Sequence, residues 1–128
     1  MGETYSYYVY GFYKNFKTPD SETLSIVRNP FTDVSLSSSY FSKVAWAYNN
    51  KIVTGTTSTS FSPDNNCTRA NFTVMLWKYA GKPDPGNAAN PFTDTKNLTA
   101  NEKTAILWAV KNNITSGTTS ATFSPAQK

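Results

Sequence analysis

Two aspartates and one arginine are the residues of this chain whose type and spacing best suit chemistry. Asp33 and Asp94 each close an Asn-Pro-Phe-Thr-Asp pentapeptide, at Asn29–Asp33 and Asn90–Asp94. A glycosidase needs two carboxylates facing each other across a cleft. Here the two aspartates hold equivalent places in a repeated sequence, so the repeat itself explains them and an enzyme is not expected. They would accept sugar hydroxyls, orient an arginine, or cap the turn after the phenylalanine. Arg69 follows Thr68 at the predicted start of a helix. There the backbone N–H groups carry partial positive charge and the guanidinium adds a planar fork that matches a carboxylate. The plainer alternative is a solvated Arg69, or one paired with Asp64.

Composition removes other chemistries. The chain has no histidine and one cysteine, Cys67, in 128 residues. That leaves no Ser-His-Asp or Cys-His arrangement, no internal disulfide and no cysteine-rich zinc site. No cofactor and no metal are expected. The net charge of +4 favours an anionic partner, but the lysines are scattered, with no run to track a phosphate backbone. Nucleic acid is therefore not the expected partner. No apolar run approaches the length of a membrane span. A charged fraction of 16 % with 15 % aromatics suits a secreted bacterial surface module. The opening Met-Gly-Glu reads as a boundary, making the chain a piece of something longer. Four Asn-x-Ser/Thr sequons, at Asn66, Asn71, Asn97 and Asn113, are ascribed to chance in an Asn/Thr-rich chain.

The elements that must position these residues come from an internal duplication. After each pentapeptide follow Trp-Ala (Trp46-Ala47, Trp108-Ala109), Ile-x-x-Gly-Thr-Thr-Ser (from Ile52 and Ile114) and Phe-Ser-Pro (Phe61–Pro63, Phe123–Pro125). Val44–Pro63 and Ile106–Pro125 share 11 identities in 20 positions. Apolar spacing predicts helices over Ser38–Asn50 (Phe41, Val44, Ala45, Tyr48) and Ala100–Asn112 (Lys103, Ile106, Leu107, Val110). Thr99 and Glu102 form a capping box at the start of the latter. A further helix is predicted over Arg69–Tyr79, with Thr68 as N-cap and Phe72, Met75, Leu76 and Tyr79 as its apolar face; Gly81 and Pro83 end it. Tyr5–Phe16 reads as another copy of that helix. Lys51–Cys67 reads as a loop with Gly55 and Gly117 in equivalent special turns, Phe61 and Phe123 as plugs, and room for a short strand at Thr59–Phe61. Trp46 and Trp108 lie roughly 100° round from Ala45 and Leu107. They would pack on a neighbouring loop or repeat, offer a platform to a sugar face, or do both at a groove wall.

The order Phe31-Thr-Asp33-Val34, Trp46-Ala47, Ile52-x-x-Gly55, Phe61-x-Pro63, Thr68-Arg69-Ala70 resembles the S-layer homology (SLH) motif. The resemblance covers Phe31–Gly81 in full, Phe92–Pro125 for a first half and Tyr5–Phe16 loosely. The resulting division is 1–30 (second half of a repeat plus linker), 31–81 (a complete repeat), 82–91 (linker) and 92–128 (first half of a further repeat). The resemblance implies an all-α, mainly helical fold of paired helices joined by long loops in a pseudo-symmetric arrangement. It implies a non-catalytic module of the bacterial cell wall or S-layer that binds an anionic secondary cell-wall polysaccharide, often pyruvylated. The glycan-binding set it implies is Arg69, Thr68, Asp33, Trp46, Gly55, Asp94 and Trp108. The alternative function is an assembly domain that mediates protein contacts in a surface layer without glycan. Two departures stand out: Asn71 occupies the place of a capping-box glutamate after Thr-Arg-Ala, and Gly2–Tyr8 holds no arginine. One complete anion site is therefore expected. The half repeats at the two ends are expected to complete one another, within one chain or between copies in an oligomer.

Overall fold

The structure is a computed structural model that describes residues 5–7, 12–13, 16–17, 24–26 and 29–128. In 29–128 the regular structure is helical: α1 (Phe41–Asn49), α2 (Arg69–Tyr79) and α3 (Ala100–Lys111), with a single 3-10 turn at Thr93–Thr95. The helical class expected from the sequence holds for this part.

The described residues before it are extended. β1 (Tyr5–Tyr7) pairs antiparallel with β4 (Leu24–Ile26), and β2 (Phe12–Tyr13) with β3 (Phe16–Lys17). The described residues of the span Tyr5–Phe16 are thus strands and not the expected helix. Aromatic residues suit a pleated strand, and Gly11 in the middle of the segment disfavours a helix by about 1 kcal/mol relative to alanine. Helical spacing of Tyr5, Tyr8, Val9 and Phe12 was the weaker signal. The expected packing of this segment on 92–125 lies outside the described residues.

Each repeat builds its own small core. Phe31, Val34 and Val44 are buried together, with Phe41 and Phe61 against them. In the second repeat Phe92, Ile106 and Phe123 are buried together, with Leu98 and Val110 against them, and α2 contributes Ala70. The ring pairs repeat the same geometry: Phe31–Phe61 at 5.4 Å and Phe92–Phe123 at 5.6 Å, both tilted by 44°. The aromatic plugs inferred from the sequence are thus in place.

Helix α2 has the predicted span and the predicted N-cap, since Thr68 Oγ1 accepts the Asn71 N–H at 3.2 Å. Its buried side is not the predicted one. Ala70, Thr73 and Trp77 face inward, while Phe72 and Tyr79 are 56 % and 69 % exposed. The partner decides this rotation. α2 lies on α3 and is stitched to the second repeat by Arg69 N–H to Gln127 O (2.8 Å) and Ala70 N–H to Pro125 O (3.1 Å). Buried Thr73 is satisfied by donating to Arg69 O at 2.8 Å, and Trp77 Nε1 donates to Pro83 O at 2.9 Å, tying the linker to the helix. The strand considered at Thr59–Phe61 is absent; that stretch instead gives single hydrogen bonds, such as Thr32 N–H to Thr59 O at 2.8 Å.

Candidate functional site

The two aspartates perform the same task in both repeats. Asp33 accepts the Phe61 and Ser62 N–H groups at 2.8 and 2.7 Å. Asp94 accepts those of Phe123 and Ser124 at 2.9 and 2.7 Å. Each carboxylate spends both oxygens on the Phe-Ser-Pro segment of its own repeat, some 28 to 30 residues along the chain. Donation to the charged form, first from Phe61 and then from Ser62, lowers the Asp33 pKa below its usual value. The Phe123 N–H, helped by Ser124 and opposed by partial desolvation, does the same at Asp94. The expected cap of a local turn is therefore a long-range clasp.

The glycines belong to the same clasp. Gly55 and Gly117 sit at φ +77° and +87°. A Cβ there would stand 2.4 Å from the ring of Phe31 or Phe92, and 2.6 Å from a loop carbonyl. Nothing larger fits, so Gly55 is a seat for the phenylalanine ring. The pentapeptide asparagines complete the unit, with Asn29 and Asn90 accepting the N–H of Phe31 and Phe92 at 3.2 and 3.0 Å.

Arg69 stands at the junction of α2 with the second repeat. Its Nε donates to Phe123 O at 3.0 Å, and its guanidinium carbon lies 4.8 Å above the centre of the Phe123 ring. Asp94 and Arg69 therefore grip the two ends of one residue, the first at its N–H and the second at its C=O. Neither plain alternative describes Arg69: it is half-buried and bound to the chain, and its recorded partner is a carbonyl, not Asp64. The helix end offers less than the sequence promised, because the N–H groups of Arg69, Ala70 and Asn71 are already taken by Gln127, Pro125 and Thr68. What remains for an anion is the outer edge of the guanidinium.

Trp46 is not part of this junction. It is 52 % exposed and lies beside Tyr79, ring centres 6.2 Å apart. Tyr79 is the last residue of α2 and Arg69 the first, so the tryptophan is roughly 15 Å away along the helix axis. Trp108, its counterpart on α3, is half-buried. The sequence thus supplied the members of the set, and the fold divides them between the two ends of α2. Sequence reading missed Tyr79 and Lys78 as neighbours of Trp46, and no signal in the repeat points to them. It also missed an open groove of about 660 Å³ beside α2, bordered by Ile52, Phe61, Phe72, Met75 and Glu102.

Among the described residues no group of His, Cys, Asp and Glu could hold a metal ion, and no helix is long and apolar enough to cross a membrane. The family model for the S-layer homology domain matches residues 30–73 and 91–128, well over half of the chain. The chain belongs to the S-layer homology domain family, whose members are non-catalytic modules that associate with the bacterial cell wall. No curated protein and no solved structure gives a significant match.

Proposed function

We propose that the chain anchors its parent protein by binding an anionic secondary cell-wall polysaccharide, with a carboxylate such as a pyruvyl ketal docking at Arg69. The observation that carries this is the state of the guanidinium. It is tethered through Nε to Phe123 and stacked on that ring, and its two terminal amino groups have no protein hydrogen-bond partner among the described residues. A pre-positioned fork loses little rotamer freedom on meeting a carboxylate in two-point geometry. Thr68 shapes the helix end and Asp94 holds Phe123 in place under the arginine; Asp33, Gly55 and the Phe31 ring close the matching loop of the complete repeat, over which no described arginine lies. Trp108 lies in α3, the helix that α2 packs upon.

Calorimetry of the intact chain with a pyruvylated wall disaccharide tests the site. Arg69→Ala should weaken binding by about 2–4 kcal/mol for a desolvated pair. Arg69→Lys should restore only part, because it keeps the charge and loses the fork. Wild-type affinity in a folded Arg69→Ala variant would favour the assembly role. A pull-down on purified sacculi, before and after removal of attached polysaccharide, separates the two: glycan binding needs the polysaccharide, assembly does not.

A further inference from the structure

We propose that the notch between Trp46, Tyr79, Lys78 and Asn50 is a second saccharide subsite, taking one pyranose ring of the same polymer at the far end of α2 from Arg69. The inference rests on the polysaccharide reading above and adds to it where along the chain the glycan runs. Trp46 and Tyr79 are 52 % and 69 % exposed, an unusual placement for two large aromatic side chains meeting across a helix pair. Their planes diverge by 55°, opening a wedge between them. The wedge holds about 140 Å³, close to the bulk of a single sugar ring, with buried Ile52 as its floor.

The polar groups on its rim suit hydroxyls. Asn50 commits its side-chain N–H₂ to Trp46 O at 2.8 Å, which fixes the amide and leaves its oxygen as an acceptor. Lys78 also lines the notch and supplies a cationic donor. A pyranose presents an apolar C–H face and a girdle of hydroxyls, so it fits a site with two ring faces, one acceptor and one donor. An all-apolar peptide segment would leave the amide and the ammonium unmatched. Lys78 also favours a ring with an acidic substituent.

The second repeat provides an internal control. Asn112 donates to Trp108 O at 2.8 Å just as Asn50 does to Trp46. No described helix follows α3 to bring up a tyrosine and a lysine, and Ile114, the counterpart of the floor residue, is 48 % exposed. The same tryptophan-asparagine pair therefore makes a notch only where α2 closes it. With Arg69 roughly 15 Å away along α2, one oligosaccharide could occupy both ends and a disaccharide only one.

Calorimetry with the pyruvylated disaccharide and with longer oligosaccharides released from sacculi tests this on the intact chain. Tyr79→Ala should weaken the long fragments roughly tenfold and leave the disaccharide unchanged. Because Tyr79 is mostly exposed, this variant should fold; Trp46→Ala should show the same length dependence. Unchanged long-fragment affinity in both variants overturns the subsite, and a loss in Arg69→Ala would then leave the anion reading intact. Conversely, normal binding in Arg69→Ala with a loss in Tyr79→Ala removes the anion reading and keeps the notch. If sedimentation shows a dimer of the wild type that Trp46→Ala dissolves, with sugar affinity unchanged, the patch is a contact with a second copy and the proposal fails.

Discussion

The two Phe-Ser-Pro loops have the same internal hydrogen bonds and different neighbours. In both, an aspartate clasps two N–H groups, a glycine seats a phenylalanine ring, and the hairpin-like bond recurs (Thr56 N–H to Ser60 O and Thr118 N–H to Thr122 O, both 2.8 Å). Yet Phe123 is 1 % exposed while Phe61 is only half-buried. The difference is α2, which lays Ala70 and Arg69 over the second loop; no described residue does this for the first. Conversely, Ile52 is buried and Ile114 is 48 % exposed, because α2 also flanks the loop of its own repeat. A repeat of this kind thus makes its loop alone and depends on the helix of its neighbour to cover it. That dependence is the nearest-neighbour logic of repeat proteins.

The helix starts differ as well. α3 begins with a full capping box, Thr99 Oγ1 accepting the Glu102 N–H and Glu102 accepting the Thr99 N–H at 2.9 Å. At the equivalent place in the first repeat Glu102 is replaced by Tyr40. There α1 starts at Phe41, with no side-chain cap, and has 9 residues against 12 in α3. The sequence expectation of a helix from Ser38 overreached by three residues: the apolar stripe itself begins at Phe41, and no side chain caps the chain before it.

The largest effect is expected from glycine. Gly117→Ala forces a positive φ on a residue with a side chain and drives Cβ into Phe92, so it should cost about 3–5 kcal/mol, read as a large drop in urea midpoint. Gly55→Ala should cost as much if the clasps are equivalent on their own. A much milder effect at Gly55 would mean that the neighbour helix, not the clasp, sets loop stability. Next come the plugs. Phe123→Ala should lose about 3–5 kcal/mol and Phe61→Ala less, about 1–2 kcal/mol, in proportion to burial. Equal losses would break the claim that α2 makes the difference.

The clasp aspartates predict a pH dependence. Their pKa values are lower folded than the unfolded value of 3.8, so the unfolded chain takes up protons first as pH falls. The stabilisation is fully present above the unfolded value and is lost as pH drops through the folded one. Melting temperatures from pH 7 to pH 2 should fall in that acid range, and an Asp33→Asn/Asp94→Asn variant should show a flatter curve from a lower start. The smallest effect concerns the caps. Thr99→Ala should cost about 1 kcal/mol, whereas Tyr40→Glu should install a box with Ser37 and lengthen α1 by a turn, seen as a small gain in helical circular dichroism.

Much of the site was legible because repetition exposes it. Phe31, Asp33, Gly55 and Phe61 recur as Phe92, Asp94, Gly117 and Phe123, and residues retained in two copies at matching spacing are those the loop needs in order to close. The span of α2 was legible from Thr68 and Gly81. Its buried face was not, since Phe72, Met75, Leu76 and Tyr79 form as good a stripe in sequence as Ala70, Thr73 and Trp77. The aromatic start of the chain misled for a related reason: short segments carry both helical and strand spacing, and pairing partners choose between them.

By itself, then, the sequence determined the family, the clasp and the helix ends, because these depend on residues close in the chain or duplicated within it. Tertiary structure alone decided which way α2 turns, that its first N–H groups serve Gln127 and Pro125 rather than a ligand, and that Arg69 and Trp46 stand at opposite ends of one helix. Those outcomes depend on which neighbour buries the most apolar surface and satisfies the most backbone, a comparison made only when distant segments meet.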